Sequence, residues 1–210
     1  MQAFWTGVAG ATLALCGAAA SAATLTDARV GFSADRTLVI NGKAYEGRMY
    51  NMPGMERHEQ NINGIPAVFV FRTDTPIGDV VLPQLHTIVE FVMPPELRVL
   101  AGSRLKRHPV GHETVNGIAT TKYAVDETVP EGHGVGAVWI SADGIPMKLA
   151  GSFTKPNDKV VKLRWELSHV KLGAQPGSLF QAPTAFSKLP AEAVAPLLGL
   201  KLKSAGRPPG

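Results

Sequence analysis

The stretches Val110–Val125, VGHETVNGIATTKYAV, and Gly136–Phe153, GAVWISADGIPMKLAGSF, decide the fold. Each holds an Asx-Gly pair, Asn116-Gly117 and Asp143-Gly144, between runs rich in Val, Ile, Thr, Tyr and Trp. Such a pair marks a tight hairpin turn in which both central residues accept positive φ. Two hairpins back to back predict a meandering antiparallel sheet.

The same grammar extends toward the N-terminus. Thr37–Ile40 runs into Asn41-Gly42 and returns through Lys43–Tyr50; Met55–Ile62 is followed by Asn63-Gly64 and Ile65–Arg72. The AVFVF within that last run is apolar on both faces, as in a strand deep in a protein. Gly78–Leu82 and Thr87–Val92 form a further pair around Pro83-Gln84. At Pro94–Leu105 the pattern changes: Leu97, Leu100 and Ala101 stand at helical spacing behind two prolines, which predicts a short helix between two halves of the sheet.

Toward the C-terminus, a turn at Pro156-Asn157-Asp158 leads into Lys159–Val170, a strand alternating around Val161, Leu163, Trp165 and Leu167. Gly177–Leu189 reads as an irregular rim strand and Ala191–Leu200 as a short apolar helix. Ser204–Gly210, rich in Gly and Pro and basic, is expected to be disordered.

Phe4–Ala20 is an apolar run relieved only by Thr and Gly, and Ala20-Ser21-Ala22 has the small-residue spacing that a signal peptidase reads. Residues 1–22 are therefore expected to be a secretory signal, cleaved after Ala22, which addresses the protein to the periplasm. The run is too short and too rich in small residues for a comfortable membrane span. Cys16, the single cysteine, lies inside it; attachment of a lipid there is the minority alternative, because Leu15 occupies the place where lipoprotein signals carry a small residue. Cleavage removes 22 of 210 residues and leaves 188 without cysteine. A single domain of that size, expected over residues 23–203, buries roughly 70% of its unfolded surface and can stand without disulfides in an oxidising compartment.

The composition, 45% apolar and 18% charged, is globular. The formal charge of +4 is scattered, with small clusters at Arg104, Lys106, Arg107 and at Lys201, Lys203, Arg207. This describes a solvated face, with peripheral contact to anionic lipid headgroups as the second reading; an exported chain has no call for nucleic acid.

An antiparallel sheet of this many strands hides its apolar face by closing, by pairing with a second sheet or by wrapping around helices. Only one or two short helices are on offer. The predicted fold is therefore mainly β (α+β): a strongly curved antiparallel sheet, a half-barrel, with one or two short helices against its concave face and Pro94–Leu105 as a partial plug.

In that order of elements the chain resembles the LolA/LolB-like superfamily of bacterial envelope proteins, in particular its uncharacterised periplasmic branch. The resemblance rests on Gly47-Arg48-Met49-Tyr50 with Met55-Glu56-Arg57, the apolar run Ile65–Arg72, Val81-Leu82-Pro83 leading to Val89-Glu90, Val110–Gly117, Thr121-Lys122-Tyr123, Val138–Pro146 and Ser178-Leu179-Phe180. It covers most of the chain after Ala23. Relatives often carry an aromatic ahead of the Leu-Pro pair, and Ile77–Val81 contains none. The resemblance implies a half-barrel that shelters acyl chains, as its best-known members do when they ferry lipoproteins across the periplasm.

Binding an acyl chain requires an apolar concavity and little else, since each buried methylene contributes about 0.8 kcal/mol without directional demands. Candidates for the lining are Phe69, Phe71, Leu82, Ile88, Phe91, Trp139, Phe153 and Trp165. Each also fits an ordinary core position. No cofactor and no metal are expected. His108 and His112 stand four apart beside Glu113, a spacing that offers two imidazoles only on a helix; Pro109 and Gly111 speak against one, and on a strand both would lie on one side. His58, with Glu56 and Glu59, reads as part of a solvated face. His86 and His133 sit near turns and His169 ends a strand. Ser141-Ala142-Asp143-Gly144 lacks the flanking glycine of a nucleophile elbow and is accounted for as a turn.

The expected function is that of a monomeric, non-enzymatic periplasmic protein that binds a lipid or the acyl chain of a lipoprotein, in envelope lipid or lipoprotein trafficking. The alternative is an interaction module with no lipid cargo, of the envelope-stress-sensor type and with an envelope protein as partner. An enzyme would need His or carboxylate side chains converging in a cleft.

Overall fold

The computed structural model describes residues 28–72, 75, 77–93, 107–194 and 196. The signal segment, Cys16, the plug expected at Pro94–Leu105 and the tail at Ser204–Gly210 lie outside the described residues.

Twelve strands follow in order: β1 (Phe32–Ile40), β2 (Lys43–Met52), β3 (Met55–Ile62), β4 (Ile65–Arg72), β5 (Ile77–Leu82), β6 (Thr87–Val92), β7 (Arg107–Val115), β8 (Ile118–Val129), β9 (Gly132–Ser141), β10 (Pro146–Thr154), β11 (Val160–Leu172) and β12 (Ser187–Lys188). They form one sheet in the order β12-β6-β5-β4-β3-β2-β1-β11-β10-β9-β8-β7. The sheet is open: β7 and β12 are its two ends. Two meanders, β1–β6 and β7–β11, meet at a seam where β1 pairs antiparallel with β11, Leu38 opposite Trp165 and Ile40 opposite Leu163.

The turns follow from residues that tolerate left-handed backbone. Asn41-Gly42, Asn63-Gly64 and Asn116-Gly117 all have φ between 47° and 87°, as two-residue hairpin turns demand. Asp143-Gly144 differs from expectation, because only Gly144 has positive φ (84°). The Gly144 amide donates to the Ser141 carbonyl at 3.0 Å and the Ser141 amide to the Ile145 carbonyl at 3.0 Å. This is a longer loop, a tight turn followed by a left-handed residue. Around Pro83 the chain makes one 3-10 turn, Pro83–Leu85, with His86 left-handed at φ 48°. The hairpin β8–β9, with Pro130-Glu131 at its tip, carries no Asx-Gly signal.

The expected rim strand at Gly177–Leu189 is mostly not strand. A 3-10 turn at Gly177–Phe180 comes first, and only Ser187–Lys188 pairs, parallel to β6. One helical turn, α1 (Ala191–Val194), follows.

Register sorts the side chains onto two faces, since directly paired residues share a face. One face carries Arg36, Leu38, Met49, His58, Phe69, Val80, Val89, Trp165, Leu149 and Val138 across successive strands. On it His58 of β3 and Trp165 of β11 have ring centroids 5.5 Å apart, although two strands intervene and flat spacing would separate their backbones by about 14 Å. The sheet turns in toward this side, which is its inner face. Two buried groups sit there: Leu38, Val125, Val138, Ile140, Leu149, Phe153 and Leu163 in one half, and Ala67, Val80, Leu82, Val89 with Val194 of α1 in the other. On the outer face, Val68, Val70, Val81 and Ile88 are covered by Phe180.

Candidate functional site

The inner face is mostly apolar, and its charged side chains gather around Arg36 and His58. Along β1, the parity that buries Phe32, Ala34 and Leu38 also turns Arg36 inward, where it is only 4% exposed. Opposite it on β2 stands Gly47, whose missing side chain leaves the guanidinium free to cross to β3. A Cβ at Gly47 would come within 2.1 Å of the Glu59 carbonyl oxygen, so the approach of the two strands here requires glycine.

On β3 the guanidinium meets His58. Arg36 Nη1 lies 2.8 Å from His58 Nδ1, and because arginine can only donate, that nitrogen is the acceptor. The ring proton then sits on Nε2 and is donated to Glu56 Oε2 at 2.9 Å. Arg36 Nη2 donates to Gln60 Oε1. Glu56, His58, Arg36 and Gln60 form a relay of polar groups within an apolar face, and both nitrogens of His58 are engaged. Phe71 stacks on the imidazole at 5.1 Å and 17°, while Trp165 meets it edge-on at 72°. The Arg36 guanidinium carbon is 6.0 Å from the Trp165 ring centre.

Burial governs the charges of this node. It pushes the His58 pKa down from the usual histidine value, against the Glu56 hydrogen bond that favours charge; the Arg36 cation pushes the same way as burial. Burial also lowers the Arg36 pKa to about 10, against the attraction of Glu56 and Glu46. Arg36 therefore stays a cation at neutral pH, and His58 is neutral. Two donors in this neighbourhood are buried without an acceptor among the described residues, Arg36 Nε and Trp165 Nε1.

Of the eight expected lining residues, Phe69, Phe71, Leu82, Phe91, Phe153 and Trp165 share the inner face. Phe69 and Phe91 meet edge-to-face at 5.5 Å, and Phe91 meets Phe71 at 6.4 Å. With His58 and Trp165 they make a continuous row of rings, each of the three Phe and Trp165 only partly buried. Leu82 and Phe153 are completely buried and serve as core. Ile88 and Trp139 face the other way. Ile88 pairs with Val81, and Trp139 lies between Lys122 and Lys148 on the outer face, because strand parity overrides hydrophobicity in choosing a side.

Trp139 has its own outer-face setting. Its Nε1 donates to Glu113 Oε2 at 2.7 Å, and the Lys122 and Lys148 ammonium groups lie 4.8 and 4.6 Å from its ring centre. The Trp139 hydrogen bond, then that of Lys122, holds the Glu113 carboxyl below the usual carboxylate range.

Two expectations about polar residues change. His58 is buried, 3% exposed, because Arg36 and Glu56 satisfy both its nitrogens. His108 and His112 fall on opposite faces, since a bulge between Pro109 and Gly111 inserts one residue into β7. Arg36 did not stand out in the sequence at all, although its parity with Phe32, Ala34, Leu38 and Ile40 was the available signal. Among the described residues, no three His, Cys, Asp or Glu side chains gather as metal ligands would.

No protein-family model matches the chain, and no curated protein does. Solved structures are similar in outline. The MucA/MucB complex of Pseudomonas aeruginosa matches at 17% identity and a TM-score of 0.47 over 77% of this chain, which spans 59% of the matched one. An uncharacterised conserved protein of Thermus thermophilus matches at 12% identity and a TM-score of 0.49, over 77% of this chain and 91% of that one. A LolA superfamily protein of Nitrosomonas europaea matches at 8% identity and a TM-score of 0.42, over 73% and 91%. The likeness read in the sequence thus meets a LolA superfamily member among solved structures, at a similarity of shape too low to carry a conclusion about function.

Proposed function

We propose that this protein is a non-enzymatic, periplasmic binding protein that shelters the acyl chain of a lipid or lipoprotein against the inner face of its open sheet. The observation that carries this reading is the row Phe69, Phe91, Phe71, His58 and Trp165, whose phenyl and indole rings remain partly exposed on a face otherwise packed as core. Partly exposed aromatic surface of this kind gains free energy by accepting alkyl chains, at about 25 cal/mol for each Å² removed from water. The polar node supports binding over catalysis, since a histidine with both nitrogens engaged must break one hydrogen bond before it can move a proton. The address rests on the signal-like segment at residues 1–22.

The test is to express the full chain, purify it from the envelope fraction, extract it with organic solvent and analyse the extract by mass spectrometry. A stoichiometric acyl species supports the reading and names the cargo class. No lipid, together with no uptake of the uncharged apolar probe N-phenyl-1-naphthylamine, overturns it in favour of an interaction module.

A further inference from the structure

Among the described residues, two buried hydrogen-bond donors on the inner face have no acceptor, and both belong to side chains that meet at the polar node. Arg36, 4% exposed, uses its two terminal nitrogens on His58 and Gln60 and leaves Nε unpartnered. Trp165 leaves Nε1 unpartnered while its ring lies 6.0 Å from the Arg36 guanidinium carbon. Elsewhere the same residue type is satisfied, as Trp139 shows with its 2.7 Å bond to Glu113. Buried polar groups in folded proteins are nearly always paired, so two orphaned donors on neighbouring side chains call for a shared explanation.

Charge decides what kind of acceptor suits them. The Arg36 cation is already matched by Glu56, which reaches it through neutral His58. A second carboxylate would bring a net negative charge into an apolar face, whereas a neutral carbonyl oxygen satisfies the donors and adds none. We propose that Arg36 Nε and Trp165 Nε1 form a subsite for a neutral carbonyl acceptor, the ester or amide carbonyl of a bound acyl group, with the alkyl chain running along Phe71, Phe91 and Phe69. The subsite deepens the acyl-binding reading and rests on it. It selects esterified or amidated chains over free fatty acids.

The test is displacement of N-phenyl-1-naphthylamine from the full-length protein, near neutral pH, by methyl decanoate, decanoate and decane. One lost hydrogen bond corresponds to about tenfold in affinity. Methyl decanoate is expected to bind about tenfold more tightly than decane, and more tightly than decanoate. Trp165→Phe, which keeps an aromatic ring and removes the N–H, should bring methyl decanoate close to decane when both are measured on that variant. Thermal unfolding of that variant shows whether it is folded, and Trp165→Met, which also lacks a donor, serves in its place if it is not. Equal binding of methyl decanoate and decane, tighter binding of decanoate, or a Trp165→Phe protein that keeps the full preference would each overturn the subsite. Displacement by none of the three overturns the acyl-binding reading itself, a result distinct from a missing preference.

Discussion

His58 couples the polar node to pH. The groups facing it are the Arg36 guanidinium, the Glu56 carboxylate, and the Phe71 and Trp165 rings. Its folded pKa lies below the ordinary value, so as pH falls through about 6.5 the unfolded chain takes up a proton before the folded one does. Stability should therefore decline on acidification, by up to about 1.4 kcal/mol per pH unit, until the folded pKa is reached. His58→Gln retains a donor and an acceptor without titrating, and its unfolding free energy should fall less steeply between about pH 7 and pH 5; an identical slope would place the acid sensitivity elsewhere. Trp139 and Trp165 make a second comparison. Trp165→Phe loses some apolar area but also removes an unsatisfied donor, worth about 1–3 kcal/mol, so the two effects offset. Trp139→Phe removes a made hydrogen bond and a ring packed between two lysines. Thermal melts should show a clear loss for Trp139→Phe and little change for Trp165→Phe; the reverse order would mean that the Trp165 N–H is satisfied in solution.

Hairpins are where the chain's local chemistry and its long-range packing meet. Gly78 on β5 lies between Phe71 and Phe91, and a Cβ there would stand 2.7 Å from the Phe71 Cβ and 2.8 Å from Phe91 Cε1. Gly78→Ala should therefore cost about 1–3 kcal/mol by overpacking the ring row, read as a lowered urea midpoint, and should weaken probe binding. A wild-type midpoint would show that β4 and β5 can themselves part to admit the methyl, since the Val70 carbonyl oxygen stands as close, at 2.7 Å. Asn116 has two tasks: it takes φ 47° in its turn, and its Nδ2 donates to the Leu167 carbonyl at 2.8 Å and to Glu166 at 3.0 Å, tying the β7–β8 hairpin to β11. Asn116→Gly keeps the turn and removes the tie, for an expected loss of about 1 kcal/mol in the same assay. The Asn-Gly turns were legible in the sequence because left-handed backbone is a property of two adjacent residues. The extra residue in the Asp143-Gly144 loop, the hairpin at Pro130-Glu131 and the bulge that parts His108 from His112 depend on how neighbouring strands align, which no local pattern encodes. The site was half legible for the same reason. Phe69, Phe71, Phe91 and Trp165 announce themselves as apolar strand residues, but their common face, the exclusion of Ile88 and Trp139, and the pairing of Arg36 with His58 across 22 positions are consequences of register.

At the scale of the whole molecule, two meanders share one seam, β1 against β11, and a strap ties them a second time. After β11 the chain turns at Gly173, whose amide donates to the Gly31 carbonyl at 2.9 Å, and then crosses to the outer face of the other meander. There the Leu179 carbonyl accepts from Arg57 Nη1 at 2.8 Å, Phe180 sinks among Val68, Val70, Val81 and Ile88, and Ser187–Lys188 pairs with β6. This cover explains how β4 can be apolar on both faces: one side belongs to the inner face, the other lies beneath the strap. Phe180 is 3% exposed, so Phe180→Ala should remove about 3–5 kcal/mol, as truncation of a buried aromatic does. The loss should not stay local. With the strap loosened, the outer apolar patch of β4–β6 opens to water, and limited proteolysis should cut first between residues 177 and 189 while the β8–β11 strands remain protected. A cost below about 1 kcal/mol, or cleavage beginning in β8–β11, would mean that the strap only rests on the sheet and that the β1–β11 seam alone holds the two meanders together.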